Sequence, residues 1–583
     1  MHATTAPGSA ASTEFHAFLD RDWKQWLTEA PELATAVGAP GLNDRWNDDS
    51  VAGITARRHH LAGVLVQLDR FDRDRLSPDE RLNFDLYREL CASTEEGLPF
   101  GLDPFPFRLG SPHSLWMPLN QMEGIQLAAS DVGEIQPLVT VRDFEDLLAR
   151  FAAFPVAVDN NLALLADGLH RGYSPPRITL VGVPGQIGSQ LTAEPAESSV
   201  LRPFKEFPPT VPSTDRERLA NRASELYRGS VAPALARLKD YLETTYLPAA
   251  REPIGASALP RGAEYYAYLV RWQTTTDLTP QQVHEIGLGE VRRLRAEMEA
   301  LIRRTGFTGS FAEFNEFVRT DPRFFYDSAD ALLDGYRVIA KKIDPALSKV
   351  FGRLPRLPYG VLPVPEYRAP TSPGAFYMPG APTTGRPGYF YANTYKVGVR
   401  AKWEMEALTL HEAVPGHHLQ ISLAQEPESL PEFRRQTGFT AFVEGWGLYA
   451  ESLGEELGLY RDPYSKFGQL TYDIWRSIRL VVDTGMHALG WTREQAMAFF
   501  RENSGKSDQE IQVEVDRYIV WPGQALAYKI GQLKFRELRA RAERSLGDRF
   551  DVRAFHDLVL GEGALPLNLL EQRVDRWIAS RLA

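Results

Sequence analysis

The chain has 583 residues, of which 43% are hydrophobic and 24% charged, with a formal net charge of −11 and a single cysteine. That length exceeds what one hydrophobic core usually supports, so two lobes are expected. The acidic balance, with no dense basic run, argues against nucleic acid as a partner. Cys91 alone excludes an internal disulfide or a multi-cysteine metal site and reads as a small buried hydrophobe.

The opening MHATTAPGSAASTEF has neither a basic n-region nor an apolar h-region, so it is not expected to be a signal peptide. A small polar leader equally suits the remainder after an export signal has been cut away. The compartment stays open between cytoplasmic and periplasmic or secreted. No segment approaches the roughly 18 apolar residues of a membrane span, and none is expected. Residues 1–270 read as a mostly helical N-terminal lobe, as in FHAFLDRDWKQWLTEAPELA and DFEDLLARFAAFPVAVDNNLALLADGL, with apolar residues at three- and four-residue spacing. A β-like run, RITLVGV, interrupts them. A C-terminal helical lobe over 271–583 is expected to carry the chemistry. It opens with LTPQQVHEIGLGEVRRLRAEMEALIRR, where Thr279 is the predicted N-cap and Pro280 fills the first turn. Residues 351–400 turn rich in Pro, Gly and Tyr, and GYFYANTY alternates like a strand behind Arg386-Pro387-Gly388. From Lys402 the chain reads as almost continuous helix.

Within that helix lies LHEAVPGHH, which begins like the HExxH of zinc peptidases. There, histidines at i and i+4 share one helical face and one zinc ion while the glutamate polarises its water. Here the i+4 position from His411 is Pro415. On a straight helix His417 would point about 240° round and lie about 9 Å along the axis, and His418 would share the face but sit about 10.5 Å away. Neither can meet His411 at one metal unless the helix deforms. Pro415 and Gly416 supply the means: a bulge absorbing two residues would return His417 to the place of the second ligand. The plain alternative is a Pro-Gly helix break with incidental histidines.

A two-histidine site needs a third protein ligand. TAFVEGWGLYAE places Glu444 among apolar and aromatic residues, costly to bury unless it meets a cation, with Glu451 seven residues on along the same face. Glu444 is the expected third ligand and Glu451 the carboxylate that orients a ligand histidine. Otherwise both are solvated carboxylates on an amphipathic helix.

HEAVPGHH, FVEGWGLYAE and the later PGQALAYKIGQLKFRELR, in that order, resemble the bacterial DUF885 family. That family is similar in fold to helical zinc metallopeptidases around thimet oligopeptidase and carboxypeptidase Taq. The resemblance implies a mainly α, two-lobed helical fold with a deep central cleft and a small β element beside the metal-binding helix. It implies Zn2+ on His411, His417 and Glu444, with Glu412 as general base. It also implies that Tyr528 donates to the oxyanion and that the substrate is a small peptide. Beside the motif helix, the strand GYFYANTY offers Tyr391 and Asn393 for substrate contact by strand addition, or else it closes the cleft floor. Arg479, Asp483 and His487 form a polar stripe at i, i+4, i+8. Arg479 is a candidate for a substrate carboxylate, with Asp483 and His487 as supporting groups, unless the stripe is an ion-pair ladder. Lys529 and Arg539 are further candidates for that carboxylate, and Arg479 and Lys529 lean the reading towards free C-termini. A zinc hydrolase of a non-peptide amide or ester is the alternative within enzymes. A non-catalytic binding protein with a vestigial metal site is the alternative outside them. The sequence carries no signal for oligomeric state.

Overall fold

The computed structural model describes residues 7–107, 111–365, 369, 372–380 and 386–583. It is mainly helical, with one three-stranded sheet, and it divides into two compact units, one ending at Tyr265 and the other comprising Tyr266–Ala583.

The first unit is built on α1 (Pro7–Glu29), α2 (Val51–Leu68), α3 (Pro78–Gly97) and α4 (Val141–His170). Ser50, Ser77 and Thr140 cap the last three with side-chain oxygens, which satisfies amides that have no intrahelical partner. By length and composition α4 could cross a membrane, which the sequence reading did not anticipate. Half of it is nevertheless core: Leu147, Phe151, Phe154, Val158 and Leu165 are each 0% exposed. Burying each stabilises by roughly 1.5–3 kcal/mol. Cys91 is fully buried, and burial lifts its thiol well above the ordinary range, reinforced by Asp22 and Glu95.

The run RITLVGV is not a strand. Its residues form the short helices Arg177–Leu180 and Val183–Gly188. Leu180, Val183 and Ile187 recur at helical spacing and are all fully buried, so packing overrides the β-branched composition. Pro184, in the first turn of the second helix, also lacks the donor a ladder would need.

In the second unit α5 (Pro280–Arg304) starts as predicted: Thr279 Oγ1 accepts from the Gln282 amide, and Gln282 Oε1 accepts from the Thr279 amide. Strands β1 (Tyr359–Pro363), β2 (Ala375–Met378) and β3 (Gly388–Ala392) form a sheet ordered β1-β3-β2, parallel on one side and antiparallel on the other. The predicted strand is therefore the central one. With both its edges paired it cannot add a peptide strand itself.

Helices α6 (Met405–Glu412), α7 (His417–Gln425), α8 (Thr440–Ser452), α9 (Pro463–His487), α10 (Asp508–Val520) and α11 (Ala527–Leu546) follow. Two contacts between glycines and backbone fix their spacing. Gly287 of α5 lies against Leu480 and Val481 of α9, and Gly445 of α8 lies against Gly531 of α11, where an added Cβ would stand 2.5 Å from the Gly531 Cα.

Gly445→Ala should therefore lower the thermal midpoint, because overpacking against backbone costs about 1–3 kcal/mol and outweighs the roughly 1 kcal/mol gained in helix propensity. Gly289→Ala, in α5 with nothing within 4 Å of the new Cβ, should raise it. Equal shifts in the two variants would show that close approach is not what fixes the glycine.

Candidate metal centre

The last regular bond of α6 runs from the Ala413 amide to the Thr409 carbonyl at 2.9 Å. The backbone then leaves the helix at Ala413 (φ −98°, ψ −110°), passes the cis peptide Val414–Pro415, and re-enters at His417 after Gly416 (φ −74°, ψ −130°). A Cβ on Gly416 would overlap the carbonyl oxygens of His411 and Leu410, so only glycine fits there. The His418 amide bonds the Ala413 carbonyl at 3.1 Å, a five-residue closure, and Trp446 Nε1 holds the Pro415 carbonyl at 2.8 Å. The expected bulge inside one helix is thus a full break between two. Its effect is the expected one: the rings of His411 and His417 meet at 4.8 Å and 90°.

Glu444 projects from α8 at the same point. Its Oε2 lies 3.6 Å from His411 Nε2 and 3.6 Å from His417 Nε2, and the potential ligand atoms all fall within 4.8 Å of one another. Atoms bound tetrahedrally at about 2 Å stand about 3.3 Å apart, so this two-imidazole, one-carboxylate set fits zinc in spacing and in donor type. Glu451 Oε1 holds His411 Nδ1 at 2.8 Å, which turns the Nε2 lone pair towards the cluster. Gly447 lets the ring in: a Cβ there would come within 2.8 Å of His411 Cε1.

The electrostatics favour a cation at this point. Burial would depress His411, but its bonds to Glu444 and Glu451 overcome this and raise it to about 10. Burial would raise Glu444, yet His411 and His417 hold it well below the usual carboxylate range. Glu412, the last residue of α6, is half-buried and makes no hydrogen bond or ion pair among the described residues, so its carboxylate is uncommitted beside the cluster.

The other histidine of the motif turns away. Burial lowers His418 to about 4, and its ring nitrogens face the Tyr377 hydroxyl at 2.9 Å and the Leu357 carbonyl at 3.1 Å. Of the two histidines that could be the second ligand, the structure brings His417 to the cluster.

The remaining candidates divide. Tyr528 of α11 accepts from Arg517 Nη2 at 3.4 Å, and the guanidinium of Arg476 lies 6.0 Å from its ring. Arg476 Nη2 stands 3.8 Å from Glu451 Oε1, which ties Tyr528 to the carboxylate behind His411. Arg479 bonds the Tyr518 hydroxyl at 2.9 Å and Glu514 at 3.0 Å. No ladder joins it to Asp483 or His487. Asp483, raised to about 7 by burial, accepts from the Tyr266 hydroxyl and the Gly523 amide, and His487 Nε2 faces the Tyr518 carbonyl at 2.9 Å. These two groups hold helices together rather than supporting the ligand histidines.

Lys529 is not placed for substrate. It is fully buried, paired with Asp473 and, at 2.9 Å, with Glu290. Arg539 is engaged by Glu456 at 2.7 Å and Glu543 at 2.9 Å. Asn393 donates to the Ala369, Ser372 and Pro373 carbonyls and so holds the segment that leads into β2, while Tyr391 stacks on Phe376 across the sheet. Sequence reasoning passed over Arg476, Trp446 and Gly447. The Gly-Trp-Gly spacing directly after Glu444 was the available signal for the last two.

The chain belongs to the DUF885 family, described as bacterial protein of unknown function, whose model matches residues 31–574. No curated protein matches it. Among solved structures it is similar to a "putative lipoprotein" from Colwellia psychrerythraea, with TM-score 0.90 and 26% identity over 98% of this chain and 100% of that one. It also shares its fold with a "putative lipoprotein of unknown function" from Shewanella oneidensis, with TM-score 0.66 and 16% identity over 97% and 99% of the two chains.

Glu451→Gln should weaken zinc binding about 10–100-fold, the usual effect of removing a carboxylate behind a ligand histidine. Competition against a chromogenic chelator reads this directly. An unchanged affinity would detach Glu451 from the centre.

Proposed function

We propose that the protein is a zinc-dependent hydrolase that cleaves peptide bonds of small peptides. His411, His417 and Glu444 would hold the ion, and Glu451 would fix the tautomer of His411. When bound there, zinc supplies Lewis acidity and lowers the pKa of water towards about 7. The observation that carries this reading is the convergence of that ligand set beside a glutamate, Glu412, that makes no hydrogen bond or ion pair among the described residues.

Glu412 is adjacent in sequence to a ligand and is free to accept a proton from the attacking water and return it to the leaving amine. A site built only to bind metal has no use for an unpaired carboxylate in that position, and this favours an enzyme over a vestigial binding site. Tyr528 is the proposed donor to the developing oxyanion, a role that rests on the family resemblance. Its hydroxyl meets Arg517 at 3.4 Å, a long contact that leaves the phenol proton available.

Glu412→Gln should retain stoichiometric zinc while turnover of a small-peptide library, read by mass spectrometry, falls by about 10²–10⁴. His417→Ala should lose the metal. Full turnover in Glu412→Gln, or a wild-type protein that takes up no zinc, would end the proposal.

A further inference from the structure

We infer that Arg476, Arg479 and Arg517, gathered round the ring of Tyr528, form a subsite for the free C-terminal carboxylate of a short peptide. This rests on the peptidase reading and deepens it.

Arg476 and Arg479 come from α9, Arg517 from α10 and Tyr528 from α11. The Arg479 guanidinium lies 4.6 Å and that of Arg476 6.0 Å from the Tyr528 ring centroid, and Arg517 reaches the hydroxyl at 3.4 Å. Two carboxylates face these cations. Glu514 meets Arg479 at 3.0 Å and Arg517 at 3.9 Å, and Glu451 lies 3.8 Å from Arg476. Glu451 is already committed to His411. Positive charge therefore exceeds negative in a largely buried place, where like charges repel with little screening.

The hydrogen bonding is incomplete in the same sense. Arg476 Nε, Arg479 Nη1 and Arg517 Nε are each buried without an acceptor. Arg150, a fully buried arginine of the first unit, shows the structural pattern instead: it donates to the Arg45 carbonyl, Gln136 and Thr35 through Nε, Nη1 and Nη2. Unfilled donors on three guanidinium groups gathered at one ring call for an anion, and the two oxygens of a carboxylate can accept from more than one of them.

Position selects which carboxylate. Arg476 spans from Tyr528 to Glu451, so the cations stand one side chain removed from the ligand histidines. Such a place suits the end of a peptide whose last bonds lie at the metal. Arg517, with 20% of its side chain exposed, is the one of the three that reaches solvent most.

The test compares Ala-Ala-Ala with its C-terminal amide and with Ala-Ala-Asp-amide, by kcat/KM on the zinc-loaded enzyme and by calorimetric binding to Glu412→Gln. The free acid should be favoured at least about 30-fold over both amides. In Arg517→Gln that ratio should fall below about 3, and Arg517→Lys should restore part of it, which a merely structural role would not do. Equal binding of acid and plain amide overturns the subsite whatever the activity. Equal binding of Ala-Ala-Asp-amide and the free acid overturns the terminal assignment. If no peptide turns over, the peptidase reading fails, and the calorimetry still decides the subsite.

Discussion

Side chains on three helices, His411, His417 and Glu444, converge on one point, and the backbone around them is shaped so that they can meet. His411 and His417 are six positions apart, a separation that a continuous helix would turn to different faces. The break at Ala413–Gly416 removes that constraint, and the Trp446 indole pinning the Pro415 carbonyl fixes the result. Glycine then appears where atoms must approach most closely: Gly416 under the His411 carbonyl, Gly447 under its ring, and Gly445 against Gly531. A side chain at Gly447 would push α8 away from His411 and carry Glu444 with it, one at Gly445 would part α8 from α11, and one at Gly416 would overlap the end of α6.

Charge follows geometry. Glu444 and Glu451 flank His411 on its two nitrogens, so an imidazole in an apolar setting is held where a cation is favoured. The same need to match buried charge runs along α9, which is buried on almost every face yet carries Asp473, Arg476, Arg479, Asp483 and His487. Asp473 is neutralised by Lys529, Arg479 by Glu514, and Asp483 is stabilised by hydrogen bonds while burial lifts its pKa to about 7. Arg476 is the least satisfied of them, and it stands nearest the His411–His417–Glu444 cluster through Glu451.

The sheet shows how an element can be recognised while its use is not. Alternation in GYFYANTY marks β3, but no local pattern reveals that β1 and β2 pair with both its edges, since those partners come from elsewhere in the chain. Asn393 likewise looked like a contact residue, and only the fold shows its amide donating to three carbonyls of a neighbouring loop.

What the sequence by itself determined is local or carried in short motifs: helical periodicity, the cap at Thr279, the Pro-Gly means of breaking the motif helix, and the residue types that suit zinc. The spacing of Glu444 and Glu451, seven apart on one helix, also survives as geometry, because two helical turns return both carboxylates to the same ring. Tertiary structure decided the rest. It chose His417 over His418, turned RITLVGV into helix, and buried Lys529 in an ion pair with residues from two other helices. The physical reason is common to all three. Which partner a polar side chain meets, and whether a β-branched run finds a ladder, depends on segments distant in the sequence that no local pattern can name.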